Sequence, residues 1–458
     1  MRVFFVVFAL TGLLMACSST NPVEEPVDYI YGVRDGQLVD AAGHVLFLRG
    51  INVREDAKRH EDHLIPTTIN DRIELKAAGI NSVRLLTHWQ AIMPEEDVLD
   101  AVYLDAFAAE FLRLADDGFW IVIDMHQDLW GEPFGDGGAD WTCPAELKAG
   151  YEPTTPWWTN YTSEQVRACY DNFWETAALQ QKWIDAWVAV AAKVCPNERL
   201  LGFDLFNEPF PGAGLADLSW DAEVLYPFYQ RTMTAIEAVC PGRVFFLEPS
   251  MNHTLGQSAP MQVATEDAKR VVFSPHFYPS SVHEPGESYT DTKEELNTAL
   301  SRALGDYASS SQPLWLGEYG GLTTNDGFAD YADQIGSILF ERGLGSAIWA
   351  FNKNDGGFSF LDASGDMKSV FERSYALPVP SRLPSSPTKV EPNLDAGSLY
   401  LEFACKPNMQ AEFMLPGSGT WTFDIQPEGA LSVAGQDGRR LTLDCVGTSD
   451  ATMDIRPK

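Results

Sequence analysis

Between residues 46 and 353 the chain repeats one pattern eight times: a short apolar, β-rich run and then a stretch with helical spacing. The runs are Leu46–Val53, Ser82–Trp89, Trp120–Gln127, Leu200–Pro209, Arg243–Pro249, Val271–Tyr278, Leu314–Gly320 and Ala347–Lys353. From Tyr103 to Ala115, residues Leu104, Phe107, Phe111, Leu112 and Leu114 mostly recur at three- and four-residue intervals, as on one helix face. One apolar run of this length is ambiguous between helix and strand, but eight in alternation are not. Alternating β and α units imply a parallel sheet, and eight of them close most simply into an α/β barrel of the (β/α)8, or TIM, type. Residues 29–376 are assigned to it.

The flanks carry a different pattern. Gly32 to Gly50 holds two strand-like stretches separated by Asp40-Ala41-Ala42-Gly43, a turn by composition, and the hairpin is expected to close the barrel's bottom. After the eighth run, residues 377–391 are rich in Pro and Ser and read as a linker. Residues 392–458 then alternate apolar and polar side chains at Leu399–Phe403, Thr420–Ile425 and Arg440–Asp444, with glycine-rich turns between. That pattern predicts a small C-terminal β-sandwich, an accessory to the barrel.

The chain begins with an export signal. Arg2 precedes the apolar run Val3–Met15, then Ala16, Cys17 and the polar Ser18-Ser19-Thr20. The run is short of the roughly 20 residues a membrane span needs, and its small-residue exit is that of a signal peptide over residues 1–17. Leu14-Met15-Ala16-Cys17 resembles a bacterial lipobox, in which the cysteine is lipidated; residues 18–28 then form a tether. The expected product is exported, as a membrane-anchored bacterial lipoprotein or else secreted or periplasmic. It would be monomeric and touch membrane only through that anchor. A net charge of −33 excludes a nucleic-acid partner, which requires a basic surface.

Six cysteines remain besides Cys17, and an even count in an exported chain suggests disulfides, with fifteen complete pairings possible. Cys195 and Cys240 each fall between a helix end and the next strand in consecutive βα units, which makes them neighbours at the barrel bottom. Cys143 with Cys169, and Cys405 with Cys445, complete the expected set. No cysteine pair has the spacing of a zinc site, and nothing calls for a metal or organic cofactor.

A barrel concentrates its chemistry at the C-terminal ends of its strands. Glu208 ends the fourth run in Phe206-Asn207-Glu208-Pro209, and Glu318 lies near the end of the seventh. Two carboxyl groups on opposite faces of a sugar are what glycosidic cleavage needs, one to protonate the leaving oxygen and one to meet the oxocarbenium-like centre. Glu248, in Leu247-Glu248-Pro249, ends the fifth run without a preceding asparagine and is given a supporting role. Between the third and fourth runs lie more than seventy residues with Trp130, Phe134, Trp141, Trp157, Trp158 and Tyr161. These aromatics either wall a cleft or pack beneath a long loop.

From about Leu46 to Phe360 the chain resembles glycoside hydrolase family 5, the cellulase-like retaining barrel enzymes. The Asn207-Glu208-Pro209 motif and the seventh-strand glutamate carry the resemblance. It implies Glu208 as acid/base, Glu318 as nucleophile and Arg84 holding that nucleophile ionised. It also implies Asn207 on the sugar 2-hydroxyl, substrate contacts from His126, His276 and Tyr278, and Trp349 as a platform under the ring. Asp124-Met125-His126-Gln127-Asp128, the long third loop and the C-terminal sandwich resemble the endoglycoceramidase branch. There the counterparts of Asp128 and of a lysine after the first strand, Lys58, touch sugar. A glycolipid substrate is therefore expected, with a β-glucan or β-mannan endo-hydrolase as the alternative. A glycan-binding lipoprotein without activity is the alternative from another class, against which the intact glutamate pair argues.

Overall fold

The computed structural model describes residues 29–458 apart from 196, 216 and 309. The expected export signal, Cys17 and the expected tether lie outside the described residues. Among the described residues no helix is long and apolar enough to cross a membrane.

The chain enters as a three-stranded meander: β1 (Tyr31–Arg34), β2 (Gln37–Asp40) and β3 (Val45–Leu46). The expected turn is present, with the Gly43 N–H donating to the Asp40 carbonyl. A tighter one precedes it at Asp35-Gly36, both residues at positive φ (52° and 70°). Asp-Gly between alternating residues is a strong hairpin signal that the two-stretch reading passed over.

The barrel strands are β4 (Arg49–Val53), β5 (Ser82–Thr87), β6 (Trp120–Met125), β7 (Leu200–Asp204), β8 (Val244–Leu247), β9 (Val271–Phe273), β10 (His276–Phe277), β11 (Trp315–Gly320) and β12 (Gly345–Phe351). β9 and β10 are one strand position interrupted at Ser274-Pro275, where proline has no N–H to contribute to the ladder. β9 pairs with β8 and β10 with β11, and a bridge from Phe273 to Leu314 joins the two edges. Eight positions thus close a parallel barrel; seven lie within the run read from sequence, and the eighth, β12, starts two residues before its run.

Strand side chains alternate between two environments. On β6, Ile121, Ile123 and Met125 join the core under the helices, and Trp120 and Val122 turn to the axis. On β8, Phe245 and Leu247 face outward, Val244 and Phe246 inward. Trp120, Val122, Val244, Phe246, Val272 and Trp315 form an apolar floor, packed from below by Tyr31, Val33, Leu38 and Leu46 of the meander. One step further along the same strands, the inward positions are Asp124 and Glu248.

The proposed linker is corrected by the structure. Residues 377–391 contain β13 (Val379–Leu383) and most of β14 (Pro387–Asn393). β13 is an interior strand, between β3 and β16 (Gln410–Met414), and it accommodates Pro380 because the register with β16 shifts there. With β15 (Ser398–Ala404), β17 (Trp421–Gln426), β18 (Leu431–Asp437), β19 (Arg440–Cys445) and β20 (Asp450–Pro457) the strands form two facing sheets. One runs β1-β2-β3-β13-β16-β19-β18 and the other β14-β15-β20-β17. Leu401, Phe403, Phe413, Leu443 and Met453 fill the space between. The sandwich therefore shares a sheet with β1–β3, the barrel's plug; Arg382 on β13 pairs with both Asp40 and Glu412. The cysteines join as Cys143–Cys169, Cys195–Cys240 and Cys405–Cys445, the expected set.

Candidate active site

Above the apolar floor, the barrel axis is occupied by the guanidinium of Arg84 from β5, with no exposed surface. Its Nε donates to Asp204 at 2.9 Å and its Nη1 to Glu318 at 2.9 Å and Asn52 at 3.0 Å. Nη2 donates to Glu248 at 2.8 Å and Asn207 at 3.0 Å, and lies 2.9 Å from Asp124. One cation thus serves four buried carboxyl groups. Burial opposes its charge, but these acids outweigh that and hold its proton more tightly than usual. The same burial raises Asp124 well above the ordinary range, and nearby Asp204 and Glu248 add to it while Arg84 opposes. Glu248, Asn207 and Glu318 were legible as strand-end groups, and Arg84 through the family resemblance. Asn52 and Asp204 were not, because a small polar residue inside an apolar run gains meaning only from its register with neighbours.

Glu318 also accepts the Tyr278 hydroxyl at 2.8 Å. Glu208 lies across from it, and His276 stands between: Nδ1 is 2.9 Å from Glu208 Oε1 and 3.5 Å from Glu318 Oε2. An oxygen of each glutamate lies within 4.8 Å of the other's. The Glu208 backbone is in the left-handed region (φ 42°), sparsely occupied by residues with a Cβ. Asn207 accepts from Arg84 and donates to the Gln127 carbonyl at 3.0 Å, leaving one amide hydrogen to offer.

On the other wall, His126 donates or accepts through Nδ1 with Asp124 at 2.7 Å and stacks on Trp349, ring centres 5.1 Å apart. Lys58 bonds Asp128, lies 3.9 Å from Asp136 and stands 5.0 Å from the centre of the Trp349 ring. Its ammonium thus sits against two of the carboxylates in the group His126, Asp128 and Asp136. Burial pushes Asp136 up to about 7, Lys58 opposing and Asp128 adding to the shift. The loop holding Asp136 returns so closely that a Cβ at Gly137 would stand 2.1 Å from the His126 carbonyl. Every site residue expected from sequence, Arg84 beneath excepted, lines or adjoins one cleft of about 360 Å³. Its wall also includes Glu55, Met251, Leu255, His283 and Phe358, which sequence reading missed.

The long third loop divides. Trp130 is buried against Trp89, Tyr170 and Phe173, Trp141 packs on Trp89, and Tyr161 on Phe210. Phe134, Trp157 and Trp158 line the cleft, the two tryptophans 48 % and 37 % exposed.

The family model described as Cellulase (glycosyl hydrolase family 5) matches residues 39–355. The chain belongs to glycosyl hydrolase family 5. Among relatives, Endoglycoceramidase I of Rhodococcus hoagii (strain 103S) is 28% identical over 258 residues, 53% of this chain and 51% of its own. An endoglycoceramidase of Cyanea nozakii is 25% identical over 279 residues, 53% of this chain and 56% of its own. The chain therefore spans about half the length of the curated relatives it matches. The solved endo-glycoceramidase II from Rhodococcus sp. superposes with a TM-score of 0.80 at 25% identity, over 92% of this chain and 99% of that one. Within a family 5 barrel, the strand-end glutamates and the arginine beneath them occupy the face where barrels carry their chemistry.

Proposed function

We propose that this family 5 chain is a retaining β-glycosidase that releases the glycan from glycosphingolipids by cutting the sugar–ceramide bond. The separation of Glu208 and Glu318 carries the mechanism. Carboxyl groups about 5–5.5 Å apart suit a covalent intermediate, whereas inverting enzymes need about 6.5–9.5 Å to admit water. Glu318 attacks the anomeric carbon while Glu208 protonates the leaving oxygen. Glu208 then takes a proton from water, which displaces Glu318. Arg84 and Tyr278 orient the Glu318 carboxylate, and the spare amide hydrogen of Asn207 is available to the sugar 2-hydroxyl. The relatives' substrate supports the glycolipid reading, and endo-glycoceramidase II of Rhodococcus sp. has been solved as a lactosyl-enzyme intermediate. Assay of the purified protein on lactosylceramide, β-glucan and β-mannan tests it: free oligosaccharide from the lipid alone is expected.

The cleft suits a substrate with an apolar leaving group. Leu129, Phe134, Trp157, Trp158, Met251 and Leu255 line it beside the polar end. Burying apolar chain against them contributes about 25 cal/mol per Å². The double variant Trp157→Ala/Trp158→Ala should therefore lose far more activity on a ceramide-linked sugar than on a small aryl glycoside. Equal losses on both would favour a polysaccharide cleft. Lipidation of Cys17, with residues 18–28 as tether, would keep a monomeric enzyme beside membrane-borne substrate; mass spectrometry of the mature N-terminus tests it.

Burial raises Glu318 above its ordinary 4.5, while His276, Arg84 and Tyr278 pull it down. Attack needs the ionised form, so activity fails as pH falls through that raised value. Tyr278→Phe removes one donor to the carboxylate, which should raise the value further. The low-pH limb of kcat/KM is expected to move to higher pH in this variant; movement the other way would contradict the role given to Tyr278.

A further inference from the structure

Glu248 follows β8 behind the glutamate pair and is 2 % exposed. Its Oε2 accepts the backbone N–H of Glu208 at 2.8 Å. Its Oε1 accepts from Arg84 at 2.8 Å and stands 3.3 Å from His276 Nε2. The opposite nitrogen of that imidazole is the one 2.9 Å from Glu208 Oε1. Glu248 thus reaches Glu208 by two routes, through its main chain, held at φ 42°, and through the histidine on its carboxyl group.

We propose that Glu248 is a positioning residue for Glu208, fixing its backbone through the N–H and setting through His276 how much positive charge faces its carboxyl. The proposal rests on Glu208 being the acid/base. Nδ1 of the ring hydrogen-bonds Glu208 while Nε2 makes an ion-pair contact with Glu248 without a hydrogen bond, an arrangement between carboxyl groups that favours the imidazolium. Burial opposes that form, but Glu248 and Glu318 outweigh burial and hold His276 well above its usual range. The other groups facing this cluster are Arg84, Asp124, Asp204, Tyr278 and the Tyr229 hydroxyl, which donates to the Glu248 carbonyl at 3.0 Å. They are unchanged when Glu248 alone is altered.

Burial pushes Glu248 up to about 8, with His276 and Arg84 pulling it back and Asp204 adding to the rise; Glu248→Gln keeps the shape and removes the ionised form. With His276 less often protonated, less positive charge faces Glu208 in its role as acid, and the high-pH limb of kcat/KM should move to higher pH. The loss of rate should be roughly tenfold greater on an alkyl β-glycoside, which needs its leaving oxygen protonated, than on a dinitrophenyl β-glycoside, which does not. Equal losses on the two substrates with an unmoved limb would overturn the proposal. Glu208→Ala on the same two substrates separates the readings. If it shows no preference for the activated glycoside, the acid/base assignment falls and this proposal with it. If it shows the preference and Glu248→Gln does not, only the proposal for Glu248 falls. Should Glu248→Gln fail to fold, nitrogen NMR of the histidine-labelled native protein decides: an imidazolium at His276 near pH 7 is expected, and a neutral ring there would overturn it.

Discussion

Glu318→Ala and Glu208→Ala should each lower turnover by several orders of magnitude while leaving the melting temperature within a few degrees of the parent. On the proposed mechanism, loss of Glu318 removes the group that would form the covalent intermediate, so no compensation is expected on any substrate. On the same mechanism, loss of Glu208 would remove a proton transfer of the kind worth about 10²–10⁴-fold, and the deficit should shrink when the leaving group needs no proton. Both side chains sit at the open end of the barrel, and neither supports the apolar floor. Steady-state kinetics on an aryl glycoside with parallel thermal melts checks both halves of this expectation. A variant retaining near-parental turnover would remove that residue from the mechanism.

Arg84→Met should be the most destabilising single change at the site. The arginine is fully enclosed and is bonded or ion-paired to Asp124, Asp204, Glu248 and Glu318. Removing one partner of a buried ion pair typically costs about 3–5 kcal/mol, because the charge left behind has neither partner nor water. Here four acids lose their shared cation. They can respond only by taking up protons, so the deficit should be smaller at pH 5 than at pH 8. Urea denaturation at the two values measures this; a loss below about 1 kcal/mol at both would show the cluster to be held by other means.

The difference between what the chain revealed and what it hid is one of locality. The barrel strands are covered on both faces, so they read as unbroken apolar runs wherever the chain is inspected. Glu208 and Glu318 stand out for a related reason, since a charged residue at the end of such a run has no packing role. Asp204 and Asn52 lie inside the apolar runs read from sequence, and their function as partners of Arg84 depends on which residues the neighbouring strands bring level with them. Residues 377–391 misled because Pro and Ser are the ordinary marks of a linker, whereas β13 is held in place by β3, more than three hundred residues earlier. The aromatic loop hid its division for the same cause. Trp130 and Trp157 are alike in sequence, but Trp130 packs on Trp89 and on Tyr170 and Phe173 of the helix Glu164–Glu175, which Cys143–Cys169 anchors, while Trp157 lines the cleft.

The central claim is double displacement by Glu208 and Glu318, and the anomeric configuration of the first product tests it most directly. Proton NMR during the opening minutes of hydrolysis of a β-glycoside distinguishes the anomers before mutarotation mixes them. With an oxygen of each glutamate within 4.8 Å of the other's, the β-anomer should appear first and the α-anomer only later, by equilibration. An α-anomer formed first would contradict the account.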